Sequence, residues 1–168
     1  MAKLPAEQVQ LSIAGDGEQR EELIHLAKGL SHVEFVGEVQ DVPRFLASGD
    51  LVIIPSRWEP FGLTCIEAIA AGRPVIVANL DGLADQARAL RSHSLSSTPA
   101  SSCGAKESQA VKLLDELSVT GIEQTISQVI NGEPLQVSSE QRAYCEGVWK
   151  SVLDNWRLLL EQVMAAHK

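Results

Sequence analysis

A chain of 168 residues with 45% hydrophobic content is long enough to bury the core of one globular domain, which excludes a disordered segment. Its formal net charge of −8 argues against binding to nucleic acid or anionic membranes, because phosphate polymers attract clusters of Lys and Arg. The cysteines are widely spaced and share no zinc-ligand spacing with the histidines, so we expect reduced thiols and no metal site. With no apolar run long enough for a transmembrane segment and no signal-peptide pattern, we expect a cytoplasmic protein.

The first half of the sequence predicts alternating strands and helices. The strands are short apolar runs with β-branched residues, and the helices carry apolar residues at helical spacing. In chain order we predict a strand at 9–14, a helix at 18–30, a strand at 33–36, a short helix capped by Asp41, a strand at 51–54, a helix at 61–71 ending at Gly72, and a strand at 75–78. This repetition predicts an α/β fold with a doubly wound, Rossmann-like parallel sheet, whose ligands lie beyond the carboxyl ends of the strands.

The second half of the sequence is less regular. A polar, serine-rich stretch predicts a mobile loop over 92–105, and residues 106–168 are expected to be helical. Helical spacing occurs over 106–117 and 121–130, and 138–166 predicts one long helix or a kinked pair. That last helix carries an apolar stripe of Tyr144, Val148, Val152, Trp156, Leu159 and Val163. We therefore predict a single domain, with its sheet in residues 1–91.

Two carboxylates stand eight positions apart where a loop is expected to turn into a helix. Glu59 and Glu67 flank Phe61, Gly62 and Leu63. A helix start has unpaired N–H groups and positive partial charge, so it attracts phosphate. A carboxylate before that start can accept hydrogen bonds from sugar hydroxyls, and one two turns later can accept them from a ribose. Taken alone, Glu67 fits a solvated helix position better and Glu59 fits an acid that stabilises a helix start better, whereas the two together, with Gly62 between them, favour a ligand site.

The segment from Glu59 to Glu67 resembles the Glu-x7-Glu signature of retaining GT-B glycosyltransferases. Further segments match the motifs of that family in the same order: 11–17, 33–37, 50–56, 72–78 and 81–85. Five ordered motifs are more specific than any one of them. The resemblance covers roughly the first half of the chain, weakens after Gln86, and corresponds to the carboxyl-terminal, donor-binding lobe of the GT-B fold.

The resemblance also implies roles for individual residues. Glu59 would be the catalytic residue that binds hydroxyls of the donor sugar, and Glu67 would accept hydrogen bonds from the nucleotide ribose. The other implied donor-binding residues are Phe61, Gly62, Leu63 and Thr64 at the diphosphate, Val36 and Gly37 at the base, and Asp81 and Gly82 beneath the sugar. Gly37 and Gly82 are turn glycines as often as ligand-facing ones, and Thr64 could lie on an ordinary helix surface.

The function that the resemblance implies is transfer of a sugar from a nucleoside diphosphate sugar to an acceptor, with retention, without a metal and without a cofactor. The match includes no acceptor lobe, so we expect weak or no activity of this chain alone. It would be either a fragment of a longer enzyme or one subunit of a split enzyme, in which a partner chain supplies the acceptor lobe. One alternative is a degenerate lobe that serves as a protein-interaction module through the stripe of Tyr144 and Trp156. Another is an unrelated doubly wound nucleotide-binding domain, although Arg20 replaces the third glycine of a dinucleotide fingerprint.

Overall fold

The computed structural model describes Leu4 and residues 6–95, 109–132 and 134–166. Strands and helices alternate along most of this chain, as the sequence predicts. The elements are β1 (Leu11–Ala14), α1 (Arg20–Leu26), β2 (Val33–Gly37), α2 (Val42–Ser48), β3 (Val52–Ile54), α3 (Leu63–Ala70), β4 (Val75–Ala78), α4 (Asp81–Leu95), β5 (Val111–Leu114), α5 (Val119–Asn131) and α6 (Ser139–Ala166). None of the helices is both long enough and apolar enough to span a membrane, within the ranges given above.

All strand pairs are parallel, but they form two sheets where the sequence predicts one. β1 pairs with β2, and β3, β4 and β5 form a second sheet in that order. Every residue of β4 is buried, because this strand is paired on both sides and helices cover it. Parallel strands flanked by helices confirm the predicted Rossmann-like α/β class.

The core forms where α3 and α4 pack on β4. On α3, the buried side chains are Cys65, Ile66, Ala68 and Ile69, and on α4 they include Leu83, Ala87 and Leu90. The Cys65 side chain is therefore fully buried in the core. Burial, with a smaller contribution from Cys145, raises the pKa of the Cys65 thiol to about 12, so this cysteine is a packing residue and not a nucleophile at neutral pH.

Two local predictions about helix ends are confirmed. The Asp41 carboxylate accepts a hydrogen bond from the Arg44 N–H at 3.1 Å and so caps α2, with a proline in the first turn. Gly72 follows α3 with a φ of +77°, and its N–H donates to the Ile69 carbonyl at 2.9 Å. A left-handed glycine just beyond a helix satisfies the last carbonyl groups at low cost.

The helix predicted over 106–117 is wrong, because β5 occupies Val111–Leu114. Four residues with three apolar members fit a strand or a buried helical turn equally well. Pairing with β4 decides the outcome, and the Val75 N–H donates to the Ala110 carbonyl at 2.9 Å. The loop predicted over 92–105 is also too long at its start, since α4 continues to Leu95. Residues 96–105 lie outside the described part of the chain.

The long helix α6 is packed over its first half and exposed over its second. It contacts α3 and α4, and Tyr144 and Val148 are half-buried against the core. Trp156 and Val163, further along the predicted stripe, are 59% and 48% exposed. The exposed end fits the interaction-module alternative, which stays a prediction.

Candidate functional site

The start of α3 exposes backbone donors. Gly62 is its N-terminal cap in a left-handed conformation, with φ +82°, and no side chain caps the first turn. The N–H groups of Cys65 and Ile66 donate to the Gly62 carbonyl at 3.1 and 3.3 Å. Those of Leu63 and Thr64 have no acceptor among the residues that the structure describes. Two free donors at the positive end of a helix form an anion-binding position.

Glu59 fixes the loop that leads into α3. One oxygen of its carboxylate, Oε1, accepts a hydrogen bond from the Gly62 N–H at 3.0 Å. Its carbonyl accepts from the Gly82 N–H at 3.0 Å, at the start of α4. The Glu59 side chain therefore stabilises the start of α3, the helix-stabilising role that the sequence allows for this acid.

Gly82 lies against the backbone of the same loop. A Cβ added to Gly82 would be 2.5 Å from both the Cα and the N of Phe61. A Cβ on Gly62 would come within 3.2 Å of a Leu83 methyl and 3.3 Å of Gln86 Cγ. The loop can approach α4 this closely because both positions are glycine.

Gln86 is a site residue that sequence reasoning missed. It is buried on α4, and its Nε2 donates to the Phe61 carbonyl at 3.2 Å. Its Oε1 is buried with no hydrogen-bond partner in the described residues. The sequence contains a pattern that could have identified Gln86. It lies at helical spacing between Leu83 and Leu90, so it is a polar residue on an otherwise apolar helix face.

Glu67 lies on the exposed face of α3, one turn beyond the free donors. Residues three and four apart share a helix face, so Glu67 stands beside Thr64 and Leu63. Helical side chains tilt toward the helix N-terminus, which directs this carboxylate toward the anion-binding position. Partial burial raises the pKa of the Glu67 carboxyl, and no partner in the described part of the chain offsets that desolvation.

The remaining predicted site residues lie in two places, at the start of α4 and at the end of β2. Asp81, at the start of α4, has a φ of +37°, an unusual conformation for a residue other than glycine. Gly37 ends β2 with a φ of +73°, and its carbonyl accepts from the Gly15 N–H at 2.7 Å. Next to it, Val36 is 38% exposed. No hydrogen bond in the described residues joins the β2 end to the loop before α3.

The structure thus brings Glu59, Phe61, Gly62 and Gly82 into direct contact, and it places Leu63, Thr64 and Glu67 along one helix face. The ligand roles of all ten residues stay predictions. Within the described ranges, no group of three or more His, Cys, Asp or Glu residues could hold a metal ion. Metal independence likewise stays a prediction.

Comparison with solved structures finds the same fold in glycosyltransferases. Anabaena HepE in complex with UDP and glucose aligns with 87% of this chain and 38% of its own, at 22% identity and a TM-score of 0.64. Sucrose-phosphate synthase from Thermosynechococcus elongatus aligns with 95% of this chain and 39% of its own, at 22% identity and a TM-score of 0.66. These likenesses show the fold.

Curated relatives are similar over about half of this chain. An uncharacterised glycosyltransferase of Methanocaldococcus jannaschii is 43% identical over 79 residues, which are 44% of this chain and 20% of that protein. Glycogen synthase of Mycobacterium tuberculosis is 39% identical over 80 residues, 45% of this chain and 19% of the synthase. The similar region thus spans about a fifth of each relative. The family described as "Glycosyl transferases group 1" matches residues 1–115, and the chain belongs to that family.

Proposed function

We propose that the chain is the donor-binding lobe of a retaining glycosyltransferase, which binds a nucleoside diphosphate sugar for transfer of its sugar to an acceptor. One observation carries the proposal. The free N–H groups of Leu63 and Thr64 stand between two carboxylates, Glu59 in the preceding loop and Glu67 on the same helix. This order matches the parts of a nucleotide sugar, with Glu59 at the sugar, the free N–H groups at the diphosphate and Glu67 at the ribose. The HepE structures with the same fold contain UDP with glucose, or UDP-glucose, which supports a nucleotide sugar as the ligand class.

The arrangement suits the chemistry of the leaving group. When a nucleoside diphosphate departs, negative charge develops on its phosphate oxygens. Fixed N–H dipoles at the start of α3 stabilise that charge without reorganising, and they do so without a metal ion. In this proposal, the second carboxylate oxygen of Glu59 accepts a hydrogen bond from a sugar hydroxyl and so orients the anomeric carbon for transfer with retention.

Binding by this lobe alone is expected to be weak. The loop itself carries one cation, Arg57, whose side chain is exposed, so the charge of the diphosphate is compensated mainly by the helix start. Each helix-dipole contact to an exposed anion contributes about 0.3–1 kcal/mol. We therefore propose that these 168 residues alone transfer little sugar, and that transfer requires an acceptor lobe, either from the same polypeptide or from a partner chain.

A calorimetric titration of UDP, GDP, ADP and their sugars tests this function, with Glu59→Gln as the variant. Gln keeps an acceptor for the Gly62 N–H but removes the charge that would bind sugar hydroxyls. We expect Glu59→Gln to bind bare diphosphates as the wild type does and to lose roughly tenfold in affinity for the nucleotide sugar. If no nucleotide or nucleotide sugar binds the wild type, the proposal is wrong.

Donor binding is expected to depend on pH through Glu67. Its raised pKa means that the carboxylate becomes protonated at a higher pH than an ordinary glutamate. Since the ribose hydroxyls donate to the ionised form, affinity for UDP-glucose should rise with pH through that raised pKa. The free energy of unfolding should change in the opposite direction. It should fall as pH rises through the raised pKa of Glu67, because the folded state then has to bury the charged form. Glu67→Gln should remove the part of both profiles that lies above the ordinary pKa of a glutamate. Unchanged profiles in this variant would assign the titration to another group.

A further inference from the structure

Asp81 has a strained backbone conformation. Among the residues that the structure describes, it is the one residue other than glycine with a positive φ, at +37°. Residues with a Cβ adopt this left-handed region at a cost in free energy, although aspartate tolerates it better than most. Strained positions of this kind cluster at active sites and ligand-binding sites. The conformation of Asp81 therefore raises the question of what its side chain binds.

The fold places Asp81 at the edge of the sheet where ligands are expected. β4 lies between β3 and β5 and ends at Ala78, three residues before Asp81. Glu59 lies in the loop that follows the neighbouring strand, β3. Ligands of doubly wound sheets bind beyond the carboxyl ends of the strands. The Gly82 N–H, which directly follows Asp81, donates to the Glu59 carbonyl at 3.0 Å, so Asp81 and Glu59 are neighbours at this edge.

The Asp81 carboxylate has no partner within the described part of the chain. Its side chain is exposed, and no hydrogen bond or ion pair joins it to another described residue. Two other aspartates at helix starts differ in this respect. Asp41 accepts a hydrogen bond from the Arg44 N–H at 3.1 Å, and Asp85 forms an ion pair with Arg88.

The Asp81 side chain does not cap α4 either. A capping aspartate accepts a hydrogen bond from an N–H group in the first turn of its helix. Here the Gly82 N–H donates to the Glu59 carbonyl, and the Ala84 N–H donates to the Leu80 carbonyl at 3.1 Å. Attraction to the helix dipole remains, but an acid with an ordinary φ would gain it as well. The Asp81 carboxylate is therefore available to a ligand at the strand ends.

We infer that Asp81 is a specificity-determining residue, which restricts the donor to nucleotide sugars whose sugar carries no negative charge. The inference rests on the proposed function, which places the donor sugar at Glu59. The hydroxyl groups of a neutral sugar can donate to both carboxylates. The carboxylate of a uronic acid would instead face two like charges, and a like charge placed against a competing ligand is a common means of excluding it.

Two donors that differ in a single group test the inference on the 168-residue chain. UDP-glucose carries a hydroxymethyl group where UDP-glucuronate carries a carboxylate, and bare UDP is the reference ligand. Asp81→Asn removes the charge but keeps the shape of the side chain and its tolerance of a positive φ. Asp50→Asn is the matched control, because it removes the same charge from an exposed residue before β3, at the opposite end of that strand. Calorimetric titration gives the affinities.

We expect the wild type to bind UDP-glucose roughly tenfold more tightly than UDP-glucuronate. Asp81→Asn should bind UDP-glucuronate roughly three- to tenfold more tightly than the wild type does, with no change in affinity for UDP. Asp50→Asn should match the wild type for all three ligands. Damage to the fold would lower affinity, so a gain of affinity for the acidic donor separates a specificity role from a structural one.

The outcomes also separate this inference from the proposed function. If UDP binds but the wild type has equal affinity for the two donors, or if Asp81→Asn gains no affinity for UDP-glucuronate, the inference is wrong and the proposed function stands. Absence of binding by all three ligands would overturn both. Urea unfolding of Asp81→Gly adds a test without a ligand. Glycine adopts this φ freely, so the variant should be at least as stable as the wild type, and a loss of stability would make the Asp81 carboxylate a structural group and overturn the inference.

Discussion

Gly82→Ala is expected to lower the free energy of unfolding by about 3 kcal/mol, the largest stability effect that we predict for this site. The added Cβ would lie 2.5 Å from the Cα and N of Phe61. These are backbone atoms, so no change of side-chain rotamer can relieve the clash. The loop would have to move away from α4, which breaks the hydrogen bonds from the Gly82 N–H to Glu59 and from Gln86 to Phe61.

Urea unfolding of the variant and of a matched control measures this effect. Gly147→Ala is the control, since it lies inside α6 and its added Cβ would meet nothing within 4 Å. Alanine in a helix interior is expected to increase stability there by about 0.5–1 kcal/mol. If Gly82→Ala were as stable as the wild type, the close packing of α4 on the loop would be wrong.

Glu67→Ala is expected to weaken binding of UDP by roughly 10- to 100-fold. Hydrogen bonds to a charged group contribute about 1.5–3 kcal/mol each, and this carboxylate would receive the ribose hydroxyls. The stability of the Glu67→Ala variant should not fall, because the Glu67 carboxylate has no partner in the described residues and its partial burial disfavours the charged form. Loss of binding without loss of stability distinguishes a ligand contact from a structural one.

The control for Glu67→Ala is Glu7→Ala, which removes the same charge from an exposed turn. Calorimetric titration of both variants with UDP gives the affinities, and urea unfolding gives the stabilities. Equal affinities in the two variants would show that Glu67 does not contact the nucleotide. A large loss of stability in Glu67→Ala would instead make it a structural residue.

The sequence predicts the strands and helices best where a pattern is complete within a few residues. β4 is predicted to the residue, because four apolar residues stand between Pro74 and Asn79. The helix predicted over 61–71 corresponds to α3, which begins two residues later at Leu63 and ends one residue earlier at Ala70. β5 is not predicted, since its short apolar run is ambiguous until β4 pairs with it.

Most of the contacts that shape the candidate site depend on distant parts of the chain. The bond from the Gly62 N–H to the Glu59 carboxylate is the exception, because it joins residues three apart and fits the helix-stabilising position that the sequence allows for this acid. The approach of Gly82 to Phe61 and the bond from Gln86 require α4 to pack on the loop. Such contacts arise from tertiary packing, which local periodicity does not encode.

The central claim is that the N-terminus of α3 binds the diphosphate, and backbone amide chemical shifts measure it directly. Titration of the ¹⁵N-labelled chain with UDP should move the Leu63 and Thr64 amide signals the most, because their N–H groups are the free donors at that helix start. Inorganic sulfate should move the same two signals to a smaller extent. Saturable UDP binding that leaves both signals unmoved would contradict the account.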